Sequence, residues 1–347
     1  MSGQEHNSRY SRQTLFAPIG REGQIRLGGS RVAIVGMGAL GTVLANHMVR
    51  AGVGYVRLID RDFVEMSNLQ RQMLYDEADA AASKPKAAAA AERLRRINAN
   101  VVVEPHVVDL NVTNAEQLLG GVDLILDGSD NFAVRFLVND VSVKLGIPWI
   151  YGGAVSSRGV ALAVVPGETP CLRCLFGQPP AQGTTETCDT AGVIGMIVHV
   201  VASYQATEAL KLLVGDRANL NRRMLHFELW HNHQAAVDVS KARKADCPAC
   251  ALRRFDYLEA GGDAESIQSL CGRDAVQIQP LRSAHIDLRD KELALSPLGQ
   301  VERNAFLLKF RPGGGLTLVL FPDGRAIVQG TNDMAVAKSL YSRYVGM

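Results

Sequence analysis

The chain has 347 residues, with 37 basic against 35 acidic side chains and a formal net charge of +2. That length exceeds one typical domain, so a large domain with an appendage is expected. The near-balance of charge excludes a general attraction to nucleic acid or to an anionic membrane, and any polyanion site has to be built locally.

The N-terminal stretch MSGQEHNSRYSRQ is polar and lacks the apolar core of a signal peptide. Arg31-Val32-Ala33-Ile34-Val35 is a short apolar, β-branched run that feeds directly into Gly36-Met37-Gly38-Ala39-Leu40-Gly41. Thr42 to Ala51 then reads as a helix ended by Gly52, and a second strand-like run, Tyr55 to Ile59, ends in Asp60. This is a nucleotide-binding βαβ fingerprint: the glycines permit a tight turn and close backbone approach, and the helix N-terminus faces phosphate. Asp60 stands where a carboxylate takes ribose hydroxyls, although a capping or loop aspartate has the same appearance. Ser67-Asn68-Leu69-Gln70-Arg71-Gln72 follows, supplying amides and a guanidinium suited to a triphosphate.

Ser83-Lys84-Pro85-Lys86 looks like a helix start, with Ser83 as N-cap and an alanine-rich run to Asn98. Val101 to Val108 and Val122 to Asp127 read as strands, the second running into Gly128-Ser129-Asp130-Asn131. A helix over Phe132 to Leu145 and strands at Pro148 to Tyr151 and Gly159 to Val165 come next. Strands alternating with helices predict a doubly wound, Rossmann-like sheet covered on both faces, mixed where the strands become sequential. A glycine- and threonine-rich segment, Gly177 to Thr190, precedes a long helix from about Val193 to Leu213, and Met224 to Trp230 and Ala235 to Val239 are late strands. The most apolar stretch, Val193 to Val214, contains His199, Ser203, Gln205, Glu208 and Lys211 and is a poor membrane span. A cytoplasmic protein without membrane or nucleic-acid partners is expected. Composition shifts near 256–268, a linker with Gly261-Gly262, so residues 1–255 form the main domain and 269–347 a small α+β domain with strands at Ala275 to Ile278, Ala305 to Phe310, Leu316 to Leu320 and Ala326 to Gln329.

Arg71 and Lys86 each read alone as solvated surface cations. With Asn68, Gln72 and Asp130 they form a set at the C-terminal ends of successive strands, where a doubly wound sheet binds its ligand. A triphosphate needs several positive groups and a carboxylate for its magnesium; Asp130 is the expected ligand and Asp62 a second candidate. Cys171, Cys174, Cys247 and Cys250 make two Cys-x-x-Cys pairs, the spacing of a closed, structural zinc site. Cys188 lies in a segment of small and polar residues just before a helix start, open to a reactive thiol or a bystander. Cys271 reads as a buried structural cysteine. His231 and His233 alternate onto one strand face, more simply as ordinary histidines than as a metal pair.

Arg9-Tyr10-Ser11-Arg12-Gln13, GMGALG, Leu58-Ile59-Asp60-Arg61-Asp62, SNLQRQ, Lys86, Gly128-Ser129-Asp130-Asn131, both cysteine pairs and Thr187 to Val193 occur in order. Together they resemble the ThiF/MoeB/HesA family, bacterial relatives of ubiquitin-activating enzymes, over residues 9 to about 254. One departure is Ala39, where the family usually shows a second glycine; a methyl is tolerable there at negative φ. The resemblance implies that the C-terminal glycine carboxylate of a β-grasp sulfur carrier attacks the α-phosphate of Mg-ATP, giving acyl-adenylate and pyrophosphate. It implies ATP contacts from Gly36, Gly38, Ala39, Gly41, Asp60, Asp62, Asn68, Arg71, Gln72, Lys86, Asp130 and Asn131, and catalytic parts for Arg71, Lys86, Asp130, Cys188 and an Arg12 that reaches across a homodimer. The C-terminal 80 residues resemble a tail of ThiF-type proteins from Gram-positive bacteria, which tilts the reading toward a ThiS-like carrier of the thiamine pathway, with a cysteine desulfurase or other sulfur donor as a further partner. A molybdopterin-type carrier is the alternative. An NAD(P)-dependent oxidoreductase and a non-catalytic scaffold are remote, because neither has a place for Arg12, SNLQRQ and the cysteine pairs together.

Overall fold

The structure is a computed structural model, and it describes residues 8–180, 186–259, 266–270, 274–280 and 285–346. The chain divides into two compact units, one built from Met1–Cys188 with Gly192–Ala260 and one from Asp189–Ala191 with Gly261–Met347.

The larger unit opens with helices α1 (Ser11–Thr14) and α2 (Gly20–Gly29), then β1 (Arg31–Val35), α3 (Ala39–Ala51) and β2 (Tyr55–Ile59). Next come α4 (Glu77–Ala81), α5 (Lys86–Ile97), β3 (Val102–His106), α6 (Ala115–Leu119), β4 (Leu124–Asp127) and α7 (Phe132–Leu145). Further along the chain come β5 (Trp149–Val155), β6 (Arg158–Val164), α8 (Leu172–Phe176), α9 (Cys188–Ala191), α10 (Gly195–Val214), β7 (Arg223–Glu228), β8 (His233–Asp238) and α11 (Asp256–Glu259). Eight strands form one sheet in the order β3-β2-β1-β4-β5-β6-β7-β8. Its first five strands are parallel and the rest antiparallel, so the sheet is mixed. Period-two alternation splits the core: Val32, Ile34, Leu58 and Leu126 face a layer with Leu44, Leu94 and Val201, while Ala33, Val35, Ile59 and Ile125 face one with Leu119 and Phe136.

Helix α3 starts at Ala39 rather than Thr42, with Gly38 as its N-cap. Its end follows a left-handed rule: Gly52 has φ 82°, and the Val53 N–H donates to the Met48 carbonyl at 3.1 Å. Tyr10 packs under that turn, its hydroxyl accepting from Asn98 Nδ2 at 2.8 Å, which ties the N-terminal arm to α5. Helix α5 starts at Lys86 with Pro85 at the cap. Ser83 is no N-cap; it sits at φ 47° in the turn that leaves α4. Leu288–Leu295 and Gln300–Arg303 are elements the sequence reading lacks, and Ala305 to Leu307 lie before the strand that was expected to include them. Residues Asp256–Glu259, expected in a linker, form the helical turn α11, and Ser266–Leu270 is a strand.

The smaller unit has β9 (Ser266–Leu270), β10 (Ala275–Gln279), α12 (Leu288–Leu295), β11 (Gln300–Arg303), β12 (Leu308–Gly313), β13 (Leu316–Leu320), β14 (Ala326–Gln329) and α13 (Met334–Tyr344). Its sheet runs β11-β12-β13-β14-β10-β9, all antiparallel. Asp287 and Asp333 cap its two helices through their side chains. Cys271 lies outside the described residues. No helix among the described residues is long and apolar enough to cross a membrane.

One buried carboxylate makes the larger unit sensitive to pH. Asp140, on α7, is fully buried and accepts from the Tyr257 N–H at 2.9 Å. Burial pushes its carboxyl up to about 6. A carboxyl whose folded pKa lies above its unfolded value contributes stability that is full below about pH 4 and is lost as the pH rises through about 6. Asp140→Asn keeps the acceptor for Tyr257 and removes the ionisation. In urea titrations the variant is expected to match wild type near pH 4 and to gain about 1–3 kcal/mol on it by pH 8. A constant difference between the two proteins across that range would refute the assignment.

Candidate active site

Strand order reverses between β1 and β4, and the chain segments leaving those two strands open a crevice at their C-terminal ends. Gly36 leaves β1 at φ 85°, a conformation L side chains rarely adopt. A methyl on Gly36 would lie 2.8 Å from the Gly128 carbonyl oxygen, one on Gly128 2.7 Å from the Gly36 oxygen, and one on Gly41 inside that same oxygen's contact radius. The two loops are therefore packed backbone to backbone. Gly38 differs: a methyl there would meet only the Gln72 amide, at 3.9 Å, so Gly38 lines open space. Ala39 opens α3 without a positive φ, which is the condition that makes its methyl tolerable.

Asp60 follows β2 and is tied to the glycine loop. The Met37 N–H donates to Oδ2 at 2.5 Å and the Asp62 N–H to Oδ1 at 2.6 Å. Burial raises the Asp60 pKa, and Lys86 together with the two N–H groups pulls against that rise. Lys86, first residue of α5, is 3% exposed and pairs with Asp62 at 3.2 Å. A cation at a helix N-terminus is disfavoured by the helix dipole, and the Asp62 carboxylate offsets that cost. Tyr75 joins the parts: its hydroxyl lies 2.6 Å from the Met37 carbonyl and 3.1 Å from that of Lys86. Burial lifts the Tyr75 phenol well above its usual range, so it stays a neutral donor.

Asn68 is buried; its Oδ1 accepts from the Glu65 N–H at 3.2 Å and its carbonyl from the N–H groups of Arg71 and Gln72. Arg71 is half-buried and donates to the Ser67 carbonyl at 2.9 Å. Gln72 is buried beside Gly38, and its Oε1 has no hydrogen-bond partner among the described residues. A buried amide with an unmet group at an open crevice suits a polar ligand. Asp130 is exposed at the mouth of the crevice. Arg61, which pairs with Asp109 at 3.0 Å, senses it: burial works against the Arg61 charge, and Asp109, Asp62, Asp130 and Asp60 more than offset that. Asn131 is differently employed, since its side chain caps α7 by accepting from the Ala133 N–H at 2.8 Å.

Two predicted residues stand apart from this cluster. Arg12 is exposed on α1 and makes no ion pair among the described residues. Cys188 precedes the long helix α10 as expected and itself opens the short helix α9, and its Sγ lies 3.4 Å from the Ala154 carbonyl on β5. The segment after it is fastened: the Ser156 N–H donates to Gly192 at 2.7 Å and the Ile194 N–H to Ser156 at 3.0 Å.

Cys171, Cys174, Cys247 and Cys250 converge, with all four Sγ atoms within 4.8 Å of one another and pairs at 3.9, 3.6 and 3.5 Å. A tetrahedron with Zn–S bonds of about 2.3 Å has edges of about 3.8 Å, so the donor set fits zinc with every position filled by protein. Hydrogen bonding from Cys171 holds the Cys174 thiol below its usual range, while hydrogen bonding to Cys174 raises Cys171 and burial raises Cys250, so the four thiols share their protons until a metal displaces them. His231 pairs with Glu228 at 2.5 Å on the exposed hairpin; the metal-capable cluster found among the described residues is that of the four cysteines.

The profile of the ThiF family matches residues 10–249. The chain belongs to the ThiF family. It is 45% identical over 339 residues to the sulfur carrier protein ThiS adenylyltransferase of Bacillus subtilis, covering 97% of this chain and 99% of that one. It is 41% identical to the sulfur carrier protein adenylyltransferase of Thermus thermophilus, covering 71% and 91%, and 38% identical to the SAMP-activating enzyme E1 of Haloferax volcanii, covering 73% and 94%. Among solved structures, E. coli MccB with ATP superposes at a TM-score of 0.61 with 23% identity, covering 72% of this chain and 76% of that one, a likeness of fold. For this ThiF-family protein, Arg61, Asp109 and Tyr75 are contributors that sequence reasoning missed. Asp109 lies just beyond the C-terminal end of a parallel strand, a signal that was available; Tyr75 carried none.

Proposed function

We propose that this chain is an ATP-dependent adenylyltransferase that activates the C-terminal glycine carboxylate of a ThiS-like β-grasp sulfur carrier. The observation that carries the reading is the glycine loop bound to Asp60 and bridged by Tyr75 to the buried Lys86, which pairs with the half-buried Asp62. Likeness over nearly its whole length to a ThiS adenylyltransferase supports the choice of carrier. The carrier carboxylate is ionised at neutral pH and attacks the α-phosphorus of ATP without a base; a C–O–P link forms, and the bond to pyrophosphate breaks. Positioning and charge stabilisation then dominate, with Asp60 on the ribose, Gly38 and Gln72 beside the phosphates, and Arg71 and Lys86 offsetting their charge. Magnesium accompanying the nucleotide would be held by Asp130, and zinc by the four cysteines as a structural tie.

We assign Arg12 to the partner's site in a homodimer. Arg12 is held on an anchored helix beside Leu15 and Phe16, which are 73% and 60% exposed, and Ile25 and Met196, at 74% and 69%, add to the apolar surface available to a second copy. Purified protein should exchange labelled pyrophosphate into ATP only when a carrier ending in Gly-Gly is present. Faster exchange with a molybdopterin-type carrier than with a ThiS-like one would reassign the substrate, and no exchange with any sulfur carrier would sink the reading.

Adenylation needs no thiol, so Cys188→Ser should leave pyrophosphate exchange within about twofold of wild type, in line with a small surface change. Any part for Cys188 falls in sulfur transfer, where mass spectrometry with a sulfur donor would reveal a reducible adduct that Cys188→Ser lacks. A large loss of exchange would instead give Cys188 a place in the nucleotide site.

A further inference from the structure

Between β4 and α7 the chain passes through Gly128, Ser129, Asp130 and Asn131, and the aim of Asp130 depends on how that loop is held. Arg135, one turn into α7, is 5% exposed, and Asp127, the last residue of β4, is 1% exposed. Arg135 Nε donates to Asp127 Oδ2 at 2.9 Å. Its Nη2 donates to the Ser129 carbonyl at 2.7 Å and to the Gly152 carbonyl at 2.8 Å. Asp127 Oδ1 takes the Ser129 N–H at 2.9 Å and the Ser129 hydroxyl at 2.6 Å. The guanidinium is enclosed by the rings of Phe132 and Tyr151, 5.1 and 5.0 Å from their centroids. Both faces of residue 129 are thus clamped, its N–H by the carboxylate and its carbonyl by the guanidinium.

A buried ion pair is a weak device for stability, because desolvation cancels much of its attraction. A planar fork with fixed donor directions is a strong device for geometry. The Ser129 carbonyl belongs to the peptide that leads into Asp130, so fixing it fixes where the Asp130 Cα–Cβ bond points.

We propose that Arg135 is a positioning residue for adenylation, holding the 129–130 peptide so that Asp130 meets the metal of the bound nucleotide. The inference rests on the function proposed above. Arg135 does not touch substrate; it acts through Asp130, as outer-shell partners of metal ligands do. Lysine keeps the charge but cannot reach Asp127, Ser129 and Gly152 together, so the pair survives while the peptide loosens. Ser129→Ala removes only the hydroxyl bond to Asp127 and is a milder version of the same lesion.

The test is a magnesium titration on the full-length protein, read by carrier-dependent pyrophosphate exchange and by calorimetric binding of a non-hydrolysable ATP analogue. Arg135→Lys is expected to raise the half-saturating magnesium concentration about 10-fold or more, in the range for outer-shell ligand partners, and Ser129→Ala by about threefold, below that range because only one of the loop's bonds is lost. Binding of the metal-free analogue should stay unchanged in both. A merely structural role would lower the folded fraction and leave the magnesium midpoint where it is. If Arg135→Lys does not fold, Ser129→Ala still reports the midpoint. Wild-type magnesium dependence in the folded variants overturns this inference alone; a wild-type protein that neither exchanges pyrophosphate nor binds the magnesium nucleotide overturns the functional reading beneath it.

Discussion

Replacing Asp130 by alanine is expected to cut carrier-dependent pyrophosphate exchange by roughly 1,000-fold or more, the scale of losing one charge-stabilising group aimed at a transition state. Stability should hardly move. Asp130 is exposed and makes no ion pair among the described residues, and such surface changes stay within about 0.5 kcal/mol. The separation of the two effects is the point of the experiment: a melting temperature at the wild-type value with the exchange gone identifies a group used only in chemistry. Exchange at the wild-type rate would refute the metal-ligand assignment. The variant also tests the place of Arg12. Asp130→Ala and Arg12→Ala subunits that exchange at random should form about half mixed dimers, each with one complete site if Arg12 acts across the interface, giving roughly a quarter of wild-type activity. Mixing without recovery, once subunit exchange is verified, would put Arg12 in its own subunit's site.

Removing the metal from the four-cysteine cluster should be the most damaging structural change. The two pairs lie on segments far apart in the chain, Cys171 and Cys174 at the start of α8 and Cys247 and Cys250 before α11. A link between such segments restricts the unfolded chain by about 4 kcal/mol if it acts like a covalent closure of that loop. Without the metal, buried thiolates within 4.8 Å of one another repel or must take up protons. Purified protein should contain one zinc per chain, and Cys247→Ser should lower the melting temperature by about 10 °C or more, as expected for a loss of several kcal/mol in a domain of this size. Exchange activity should fall only in step with the folded fraction. A variant that melts with wild type, from a preparation without zinc, would leave the cluster as four ordinary thiols.

How much of this was legible in the residues depends on how local each signal is. The glycine loop, Asp60 and the cysteine pairs each declare themselves within a few positions, and the parallel half of the sheet follows from apolar runs spaced by helices. Lys86 was legible as a residue but not in its setting, because the start of α5 depends on Pro85 and on the left-handed turn at Ser83. Asn131 looked like a ligand because it sits beside Asp130; its amide is consumed in capping α7. The Asp127–Arg135 clamp is local, but it is completed from far along the chain, by the Gly152 carbonyl on β5 and by Gln205 donating from α10 to the Asp127 carbonyl at 2.8 Å. No spacing rule reports such a contact. Helix α12 escaped because only Leu288 and Leu295 of its eight residues are buried, too few for an apolar stripe.

The interlocked glycines have a consequence for how this site can change. Gly36 and Gly41 come from one βα unit and Gly128 from another, and each occupies space that a single methyl on its neighbour would need. Neither loop can be redesigned or exchanged by itself, since any bulk added on one side is a collision on the other. Grafting the nucleotide crevice onto a related scaffold therefore requires moving both loops as a matched pair, with the spacing of β1 and β4 kept. Gly38 faces open space, but that is the room the proposed phosphates take, and Ala39 packs against the core, so a side chain enlarged at either position trades against the nucleotide or the fold.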